Sequence, residues 1–269
     1  MDVSIIYVNY RTSRLVIDSI NSVKEKTQGI LYEIIIVDNN SGDGSLAKIQ
    51  EIHPDVITIQ SELFRFLELN MNVGACGGNL YDEEGNATTS FSRKYPSFLW
   101  ELLGILYIPS LCFSSRRSLF FNHEGKPIKV ASVTGADLMV RRSVLSSIGR
   151  FDADFFMNYE ETELCLRIHR SGWDIYSVPS AQITHLEGRA SYIKQSRLYF
   201  LYEGQYIYFR KVYGIFGCRL IFAITQLKSY IRIFQFLLLG NRKRRAYWKM
   251  KLETNMEVWN SEKIKRILK

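Results

Sequence analysis

The sequence predicts an α/β fold that begins with a parallel, doubly wound sheet. Two short apolar runs, Val3–Val8 and Glu33–Val37, are rich in β-branched residues, as expected of strands buried on both faces. A helical pattern lies between them. Strands that alternate with helices at this spacing form parallel sheets through crossover helices.

The elements of this first part follow from local signals. Thr12 or Ser13 can cap the first helix, whose apolar residues recur on one face. The turn of residues 38–45 is rich in glycine, asparagine and aspartate, which favour turns. It leads to a second helix at about 46–52, and a third strand is predicted at 56–59.

The middle of the chain is less regular but still mixes strands and helices. Val73–Leu80 is typical of a strand whose glycines allow close approach of another backbone. A further strand is predicted at Val130–Val140 and a helix at Glu160–Arg170. Two separate strands are expected near 175–178 and 182–185.

Charge is distributed unevenly along the chain. The net charge is +8, but residues 1–187 carry 17 basic and 23 acidic side chains, whereas residues 188–269 carry 18 basic and 4 acidic ones. An acidic body with a basic tail indicates a negatively charged partner on the tail side, either a membrane surface or nucleic acid. Apolar residues make up 46% of the chain, which excludes wholesale disorder.

The pattern of the tail favours a membrane surface. Residues 214–239 are mostly apolar, but Arg219, Lys228 and Arg232 interrupt them, so no run approaches the ~20 apolar residues of a spanning helix. We expect an amphipathic segment in the membrane interface, with these basic residues at headgroup level. The basic stretch 241–251, interleaved with tyrosine and tryptophan, adds an anchor for anionic lipid. The alternative is a helical bundle with a solvated basic face.

Several other function classes lack support in the sequence. The four cysteines lie far apart and the four histidines are scattered, so neither a disulfide framework nor a histidine-rich metal cluster is indicated. No glycine-rich dinucleotide motif, phosphate-binding P-loop or standard nucleic-acid motif occurs. The start of the chain shows no cleavable leader pattern, which predicts a cytoplasmic protein.

Asp38 follows the second predicted strand, at the edge where open α/β sheets bind ligands. Its carboxylate can accept hydrogen bonds from a pyrimidine N–H or a ribose hydroxyl. Asn9 and Tyr10, at the end of the first strand, offer a neighbouring polar and stacking pair. The alternative is that residues 38–40 serve only as a turn and a helix cap.

A second candidate cluster is acidic. Five carboxylates lie within residues 152–163, and three of them open the predicted helix at Glu160. Acids in a first helical turn stabilise it by about 0.3–1 kcal/mol each, which would explain one or two of them. Five acids after an aromatic cluster indicate a site in which one acts as general base. His185 ends the last predicted strand, where a lone histidine is more often structural than a ligand.

Taken together, these patterns resemble the family 2 glycosyltransferases. The resemblance rests on VSIIYVNYRT, EIIIVDNNSGDGS, the stretch 133–173 that begins VTGADLMV, and ITHLEG, in that order. It covers roughly residues 1–60 and 71–210 and is strongest to bacterial rhamnosyltransferase-like members that build surface polysaccharides. It implies a GT-A fold, which is a Rossmann-like, nucleotide-binding mixed sheet flanked by helices, here followed by an amphipathic helical tail.

The resemblance also implies roles for the residues of the first two strands. Asp38 would contact the nucleoside of a nucleotide-diphosphate sugar. Asn9, Tyr10 and Asn40 would line the same pocket.

Further roles fall in the second half of the chain. Glu161 matches the second acid of the family's acidic pair and would be the catalytic base, with Glu160 beside it. Asp137 is at a position that borders the active site on the donor or acceptor side. His185 matches a histidine near the metal and diphosphate in some members, so a divalent Mg²⁺ or Mn²⁺ is expected.

One part of the family pattern is absent. In the family, a crossover helix and a fourth strand follow the third strand, and the fourth strand ends in a D-x-D motif that holds the cation. Here residues 56–61 run directly into Glu62–Leu67, which match the helix after that motif. About one strand–helix–strand unit, on the order of 30 residues, is missing. Asp152-x-Asp154 is not a replacement, because it matches a later element of the family.

The sequence therefore predicts a glycosyltransferase domain at 1–212 and a basic, amphipathic, membrane-associating tail at 213–269. We expect inverting transfer of a sugar, with rhamnose as one candidate, from a nucleotide-diphosphate donor to a glycan or lipid-linked acceptor in cell-surface polysaccharide synthesis. The protein would lie on the inner face of the cytoplasmic membrane and bind no nucleic acid. The alternative is a catalytically silent remnant or scaffold on the same membrane, because the cation-binding segment is absent.

Overall fold

The computed structural model describes residues 2–9, 11–38, 41–105, 119–185 and 194–268, and of residues 59, 60 and 194 the backbone only. The chain divides into two compact units, an N-terminal unit (Met1–Met71) and a C-terminal unit (Asn72–Lys269). The predicted boundary between residues 212 and 213 falls inside a long helix of the C-terminal unit. It stays a prediction.

The N-terminal unit is a three-stranded parallel sheet with three helices. Its elements are β1 (Val3–Asn9), α1 (Ser13–Lys26), β2 (Tyr32–Asp38), α2 (Ser45–Ile52), β3 (Ile57–Gln60) and α3 (Glu62–Leu69), and the strand order is β1-β2-β3. The predicted alternation of strands and helices is confirmed. The parallel register pairs Asn9 with Asp38, so the two ends of β1 and β2 lie side by side.

One face of this sheet is covered by helices. Ile34 and Ile36 of β2 are buried and pack with Ile17 and Ile20 of α1 and Ile49 of α2. The apolar face that the sequence predicts for the first helix is the face that packs on the sheet. Thr12 lies at the helix start, but its side chain makes no capping hydrogen bond.

The opposite face of the same sheet is exposed. Ile6 and Val8 of β1 are 62% and 64% exposed, and Ile57 of β3 is 45% exposed. The register places Ile6, Ile35 and Ile57 in one row across the three strands. The prediction that these strands are buried on both faces is therefore wrong for this sheet.

Within its described residues, the C-terminal unit contains a four-stranded mixed sheet in the order β6-β9-β4-β8, a two-stranded sheet of β5 and β7, and six α-helices. Its strands are β4 (Val73–Tyr81), β5 (Phe91–Ser92), β6 (Ile128–Lys129), β7 (Ser132–Val133), β8 (Met139–Val140) and β9 (Asp174–Thr184). Its helices are α4 (Phe98–Ile105), α5 (Arg142–Ile148), α6 (Glu160–Arg170), α7 (Lys194–Leu238), α8 (Arg242–Trp259) and α9 (Glu262–Ile267). The mixed α/β class is confirmed.

Two predicted elements of this unit differ in the structure. The strand expected at 130–140 is interrupted by a 3-10 turn at Gly135–Asp137. The break has a tertiary cause, because the Asp137 carboxylate accepts a hydrogen bond of 2.7 Å from the Gly78 N–H of β4. The two strands expected near 175–178 and 182–185 are one strand, β9, with a register shift opposite β4.

The tail forms helices that pack on the rest of the C-terminal unit. Helix α7 has a break at Gly214, whose φ of 73° is left-handed. Tyr206 and Ile221 of α7 are fully buried in one core with Val258 of α8 and Leu166 of α6. None of the described helices is long and apolar enough to cross a membrane.

The structure corrects two of the three basic residues expected at headgroup level. Arg232 is 3% exposed and donates to the carbonyls of Gly104 and Ile105 at the end of α4. Lys228 is half-buried, with its Nζ 3.4 Å from Glu101 Oε2 of α4. Arg219 is exposed as expected. The helical spacing of apolar residues in the sequence did not show which of these basic side chains face α4.

Candidate functional site

The first group of candidate residues lies at the carboxyl ends of β1 and β2. Asn9 and Asp38 are 0% and 3% exposed. Asn9 Nδ2 donates to Asp38 Oδ1 at 2.6 Å, to Ser41 Oγ at 3.1 Å and to Ser45 Oγ at 3.0 Å. A buried polar cluster of this kind is stable only because its members satisfy one another.

Asp38 also holds the turn that follows it. Its Oδ2 accepts from the Ser41 backbone N–H at 2.9 Å, and its Oδ1 accepts from the Ser41 hydroxyl at 2.6 Å. Ser41 in turn accepts from the backbone N–H of Arg11, a residue with a positive φ of 57°. Asp38 thus braces both loops at this edge. Contact with a nucleoside remains a prediction for it and for Asn9.

Two members of this network were not singled out from the sequence. Ser41 and Ser45 lie in the predicted turn of residues 38–45, and serine in a turn by itself gives no sign of such a network. The other two predicted pocket residues, Tyr10 and Asn40, lie outside the described residues.

The acidic cluster of the C-terminal unit separates into structural and candidate catalytic members. Asp152 and Asp154 both bind Lys211, with Oδ2 to Nζ distances of 2.8 and 2.6 Å. Glu163 binds Arg167 one helical turn later on α6. Ion pairs therefore account for three of the five acids.

Glu160 and Glu161 are the other two acids, and they form no ion pair within the described part of the chain. They begin α6, as predicted from the sequence. Burial raises the pKa of Glu161 to about 7, and the neighbouring Glu160 adds to the shift. Oε2 of Glu160 is buried and has no hydrogen-bond partner among the described residues. A carboxyl group whose pKa is near 7 suits proton transfer at neutral pH.

Asp137 lies in the turn that packs against Glu161. A Cβ added to Gly135, in the same turn, would lie 3.7 Å from Glu161 Cβ. Burial raises the pKa of Asp137, although its hydrogen bond from the Gly78 N–H acts in the opposite direction. The structure thus brings Glu160, Glu161 and the turn that carries Asp137 together.

The described residues do not fit a divalent cation. They contain no group of three or more His, Cys, Asp or Glu side chains that could hold one. His185 follows β9, and its backbone N–H donates to Tyr81 O at 2.7 Å. The contacts of the described residues do not connect His185 with Glu161 or Asp137. One neutral imidazole is a poor site for Mg²⁺ or Mn²⁺, which favour several oxygen ligands.

Comparison with models of known families finds a match in the first third of the chain. The family model described as "Glycosyl transferase family 2" matches residues 4–88, from β1 through β4. The N-terminal part of the chain is therefore similar to the family 2 glycosyltransferases. The resemblance inferred from the sequence motifs is confirmed.

Two curated relatives of this chain come from Mycobacterium tuberculosis, strains CDC 1551 / Oshkosh and ATCC 25618 / H37Rv. Both are named N-acetylglucosaminyl-diphospho-decaprenol L-rhamnosyltransferase and are 30% identical to it over 116 residues. The match covers 42% of this chain and 37% of each relative, so the chain spans just over a third of the length of the relatives it matches.

One similar solved structure is a mannosyltransferase from Pyrobaculum calidifontis in complex with GDP-mannose and Mn²⁺. It aligns with 97% of the protein described here and 88% of its own chain, at 13% identity and a TM-score of 0.34. A likeness of this size is too weak to bear on the fold or the site.

Proposed function

We propose that the protein transfers a sugar from a nucleotide-diphosphate donor to a hydroxyl group of a lipid-linked glycan, with Glu161 as the general base. The observation that carries this proposal is the raised pKa, about 7, of a largely buried glutamate at the start of α6. The names of the mycobacterial relatives support rhamnose as the sugar and an isoprenoid diphosphate-linked acceptor.

The proposed reaction is a single displacement. Ionised Glu161 accepts the proton of the acceptor hydroxyl as its oxygen forms a bond to the anomeric carbon. The bond from that carbon to the diphosphate oxygen breaks on the opposite face, so the nucleoside diphosphate leaves and the anomeric configuration inverts. Glu160, the adjacent carboxylate, makes Glu161 a stronger base through like-charge repulsion.

The experiment that tests this proposal is the Glu161→Gln substitution. We expect sugar transfer from deoxythymidine diphosphate-rhamnose or uridine diphosphate sugars to fall by about 10²–10⁴-fold, the usual contribution of a general base, while nucleotide binding is retained. Glu257→Gln, a change at an exposed glutamate of α8, is the matched control and should leave transfer unchanged. Joint loss of transfer and nucleotide binding would mean that Glu161 is structural.

The pH dependence of transfer gives a second test of the same role. In the protein with Glu161, kcat/KM should rise with pH through about 7 as the carboxyl group loses its proton. The residual activity of Glu161→Gln should lack this step. An unchanged step in the variant would assign the titration to another group.

A specific observation supports a second candidate function, a catalytically silent member of the family. The exposed face of the N-terminal sheet is where a crossover helix of a doubly wound sheet would pack, and the described residues offer no cation cluster. Both features agree with loss of the unit that contains the D-x-D motif. A hydrolysis assay of nucleotide-sugars with and without Mn²⁺ separates the two candidate functions. A silent member hydrolyses no nucleotide-sugar under either condition.

We also propose that the tail attaches the protein to an anionic membrane. Five side chains recur at helical spacing on α7 and are between 38% and 71% exposed. This outward stripe consists of Leu227, Tyr230, Ile231, Phe234 and Leu238. The basic run Arg242–Arg245 begins the next helix, α8. An apolar stripe beside clustered arginines is the pattern of a helix in an anionic interface.

Vesicle sedimentation tests this attachment. We expect binding to vesicles with phosphatidylglycerol and little to pure phosphatidylcholine. The double substitution Phe234→Ser and Leu238→Ser should weaken binding by roughly tenfold or more, given the apolar area removed. Leu15→Ser, at a 68% exposed leucine of the N-terminal unit, is the control. Equal binding of all three proteins would contradict the assignment.

A further inference from the structure

A polar cavity of about 170 Å³ lies between helices of the C-terminal unit. It is bounded by α4, by Tyr159 at the start of α6, and by α7 and α8. Its volume corresponds to about six waters at ~30 Å³ each, which is enough for a small anion but not for a sugar chain.

The lining of this cavity carries an excess of positive charge. Lys228 and Lys251 face one carboxylate among the described lining residues, Glu101, which lies 3.4 Å from Lys228 Nζ. Lys251 Nζ lies 4.7 Å from the centroid of the Trp248 ring. Burial lowers the pKa of Lys251, and repulsion from Lys228 lowers it further. A buried cation without a matching anion is costly, so the cavity favours a negatively charged occupant.

An unpaired polar atom lines the same cavity. Gln205 is 7% exposed, and its Oε1 has no hydrogen-bond partner among the described residues. The Gln205 side chain also bonds the Tyr159 hydroxyl, so it links α7 to the loop before Glu161 at the wall of the cavity.

A larger, mainly apolar cleft of about 320 Å³ adjoins the polar cavity. Leu201 lines both, and three neighbouring pairs contribute one residue to each space. These pairs are Asn158 and Tyr159, Tyr247 and Trp248, and Met250 and Lys251. A basic cavity that continues into an apolar cleft matches a ligand with an anionic head and a hydrocarbon chain.

The two spaces flank the residues that lead into the candidate base. Asn158 and Tyr159 have positive φ values of 66° and 71°, which strain non-glycine residues and persist only where the surroundings enforce them. Gly204 of α7 provides part of that support, because a Cβ there would overlap the carbonyl oxygen of Asn158. The loop is thus pressed against α7 directly before Glu161.

We propose that the cavity of Lys228 and Lys251 binds the diphosphate of an isoprenoid diphosphate acceptor, and that the adjoining apolar cleft holds the first part of its hydrocarbon chain. This inference rests on the proposed transfer to a lipid-linked acceptor. It adds the place at which the acceptor is held, beside the loop that carries the base. Two lysines form charge-assisted hydrogen bonds with phosphate oxygens, and apolar side chains exclude water from the chain.

The test measures binding of farnesyl diphosphate to the full chain by calorimetry, with Trp248 fluorescence as a second signal. We expect the double substitution Lys228→Met and Lys251→Met to weaken binding at least tenfold. Lys249→Met, at an exposed lysine of α8, the helix of Lys251, should leave binding unchanged. Met250→Ser should weaken binding of farnesyl diphosphate but not of inorganic pyrophosphate, because Met250 lines the cleft and not the polar cavity.

Further ligands distinguish the sources of a diphosphate. Binding of uridine or deoxythymidine diphosphate that is lost in the double variant would assign the cavity to the donor and overturn the proposal. If the double variant lost binding to phosphatidylglycerol vesicles as much as binding to farnesyl diphosphate, the two lysines would form a general site for anionic lipid. That result would also overturn the proposal. Unchanged farnesyl diphosphate affinity in the double variant would do the same.

Folding of the double variant is checked independently. Removing Lys251 relieves an unfavourable buried charge, whereas removing Lys228 leaves Glu101 without its ion-pair partner, so the two changes offset and the melting temperature should stay nearly unchanged. A lower melting temperature with lost binding would attribute the loss to packing and contradict the proposal. Lysine-dependent binding in a protein that transfers no sugar would uphold this inference while the proposed activity fails.

Discussion

The two main sheets of this chain use similarly apolar strands but bury them differently. In β4 of the C-terminal unit, every residue from Val73 to Leu80 is buried, and the strand has partners on both edges. In β1 of the N-terminal unit, the residues alternate between exposed and half-buried, and Asn9 is the first fully buried residue. Strand propensity does not explain the difference, because the buried strand β4 contains three glycines, which disfavour strands. Burial depends on what packs over each face.

The difference also shows in the glycines of β4. A Cβ added at Gly77 would overlap the Asp137 carbonyl, and one at Gly78 would overlap the Ala181 carbonyl. The C-terminal sheet is thus packed so closely that two neighbouring backbones occupy the space of side chains. The N-terminal sheet has this density only on the side of α1 and α2.

The largest expected effect separates the two faces of the N-terminal sheet. Ile36→Ala, on the covered face, should lower the free energy of unfolding by about 2–5 kcal/mol, because it opens a cavity in a fully buried position. Ile6→Ala, on the exposed face, should change it by less than about 0.5 kcal/mol. Hydrogen exchange of the β2 amides measures both. Similar losses would show that the second face is covered in solution.

The next effect concerns the close packing of the C-terminal sheet. Gly78→Ala should cost about 2–3 kcal/mol, because the new methyl group meets backbone rather than a movable side chain. Gly135→Ala is the matched control, since its Cβ would make only ordinary contact with Glu161. Urea unfolding followed by the fluorescence of Trp173 reports on this unit. If both substitutions cost the same, the close approach at β4 is not rigid.

A third effect depends on pH and tests the burial of Glu161. The folded-state pKa of about 7 lies above the unfolded value of about 4.5, so the folded protein loses stability as pH rises through 7. Glu161→Gln should therefore raise the free energy of unfolding at pH 8 by on the order of 2 kcal/mol, and the difference should vanish below pH 4. Urea midpoints at both pH values provide the measurement. A variant that is less stable at pH 8 would contradict the burial of this carboxyl group.

The smallest effect compares ion pairs in the two units. Burial lowers the pKa of Lys211, but its hydrogen bonds to Asp152 and Asp154 outweigh this and raise it. Lys211→Met should cost about 1 kcal/mol, because two carboxylates lose their partner. Lys24→Met removes a single pair with the exposed Asp55 and should cost about 0.3 kcal/mol. Thermal unfolding at low and high salt measures both stability losses. Losses that high salt leaves unchanged would show that they do not come from the ion pairs and would contradict the ranking.

Local patterns predicted most of the regular elements. The three strands of the N-terminal sheet, α1, α2 and α6 follow from hydrophobic period and turn composition, which act within a few residues. The break at Gly135–Asp137 did not follow, because its cause is a hydrogen bond to Gly78, 59 positions earlier. The candidate base was also found from the sequence, since it depends on a family motif within one short stretch.

The sequence alone determined the α/β class, the start of α6 at Glu160 and the resemblance to the family 2 glycosyltransferases. The tertiary structure decided which acids are paired, that Asp38 braces its own loop, and that Lys228 and Arg232 face α4 rather than a headgroup layer. It also decided which face of the first sheet is covered. The physical reason is that propensity and period act along a few residues, whereas burial and charge pairing depend on distant partners, such as Gly104, which lies 128 positions before Arg232.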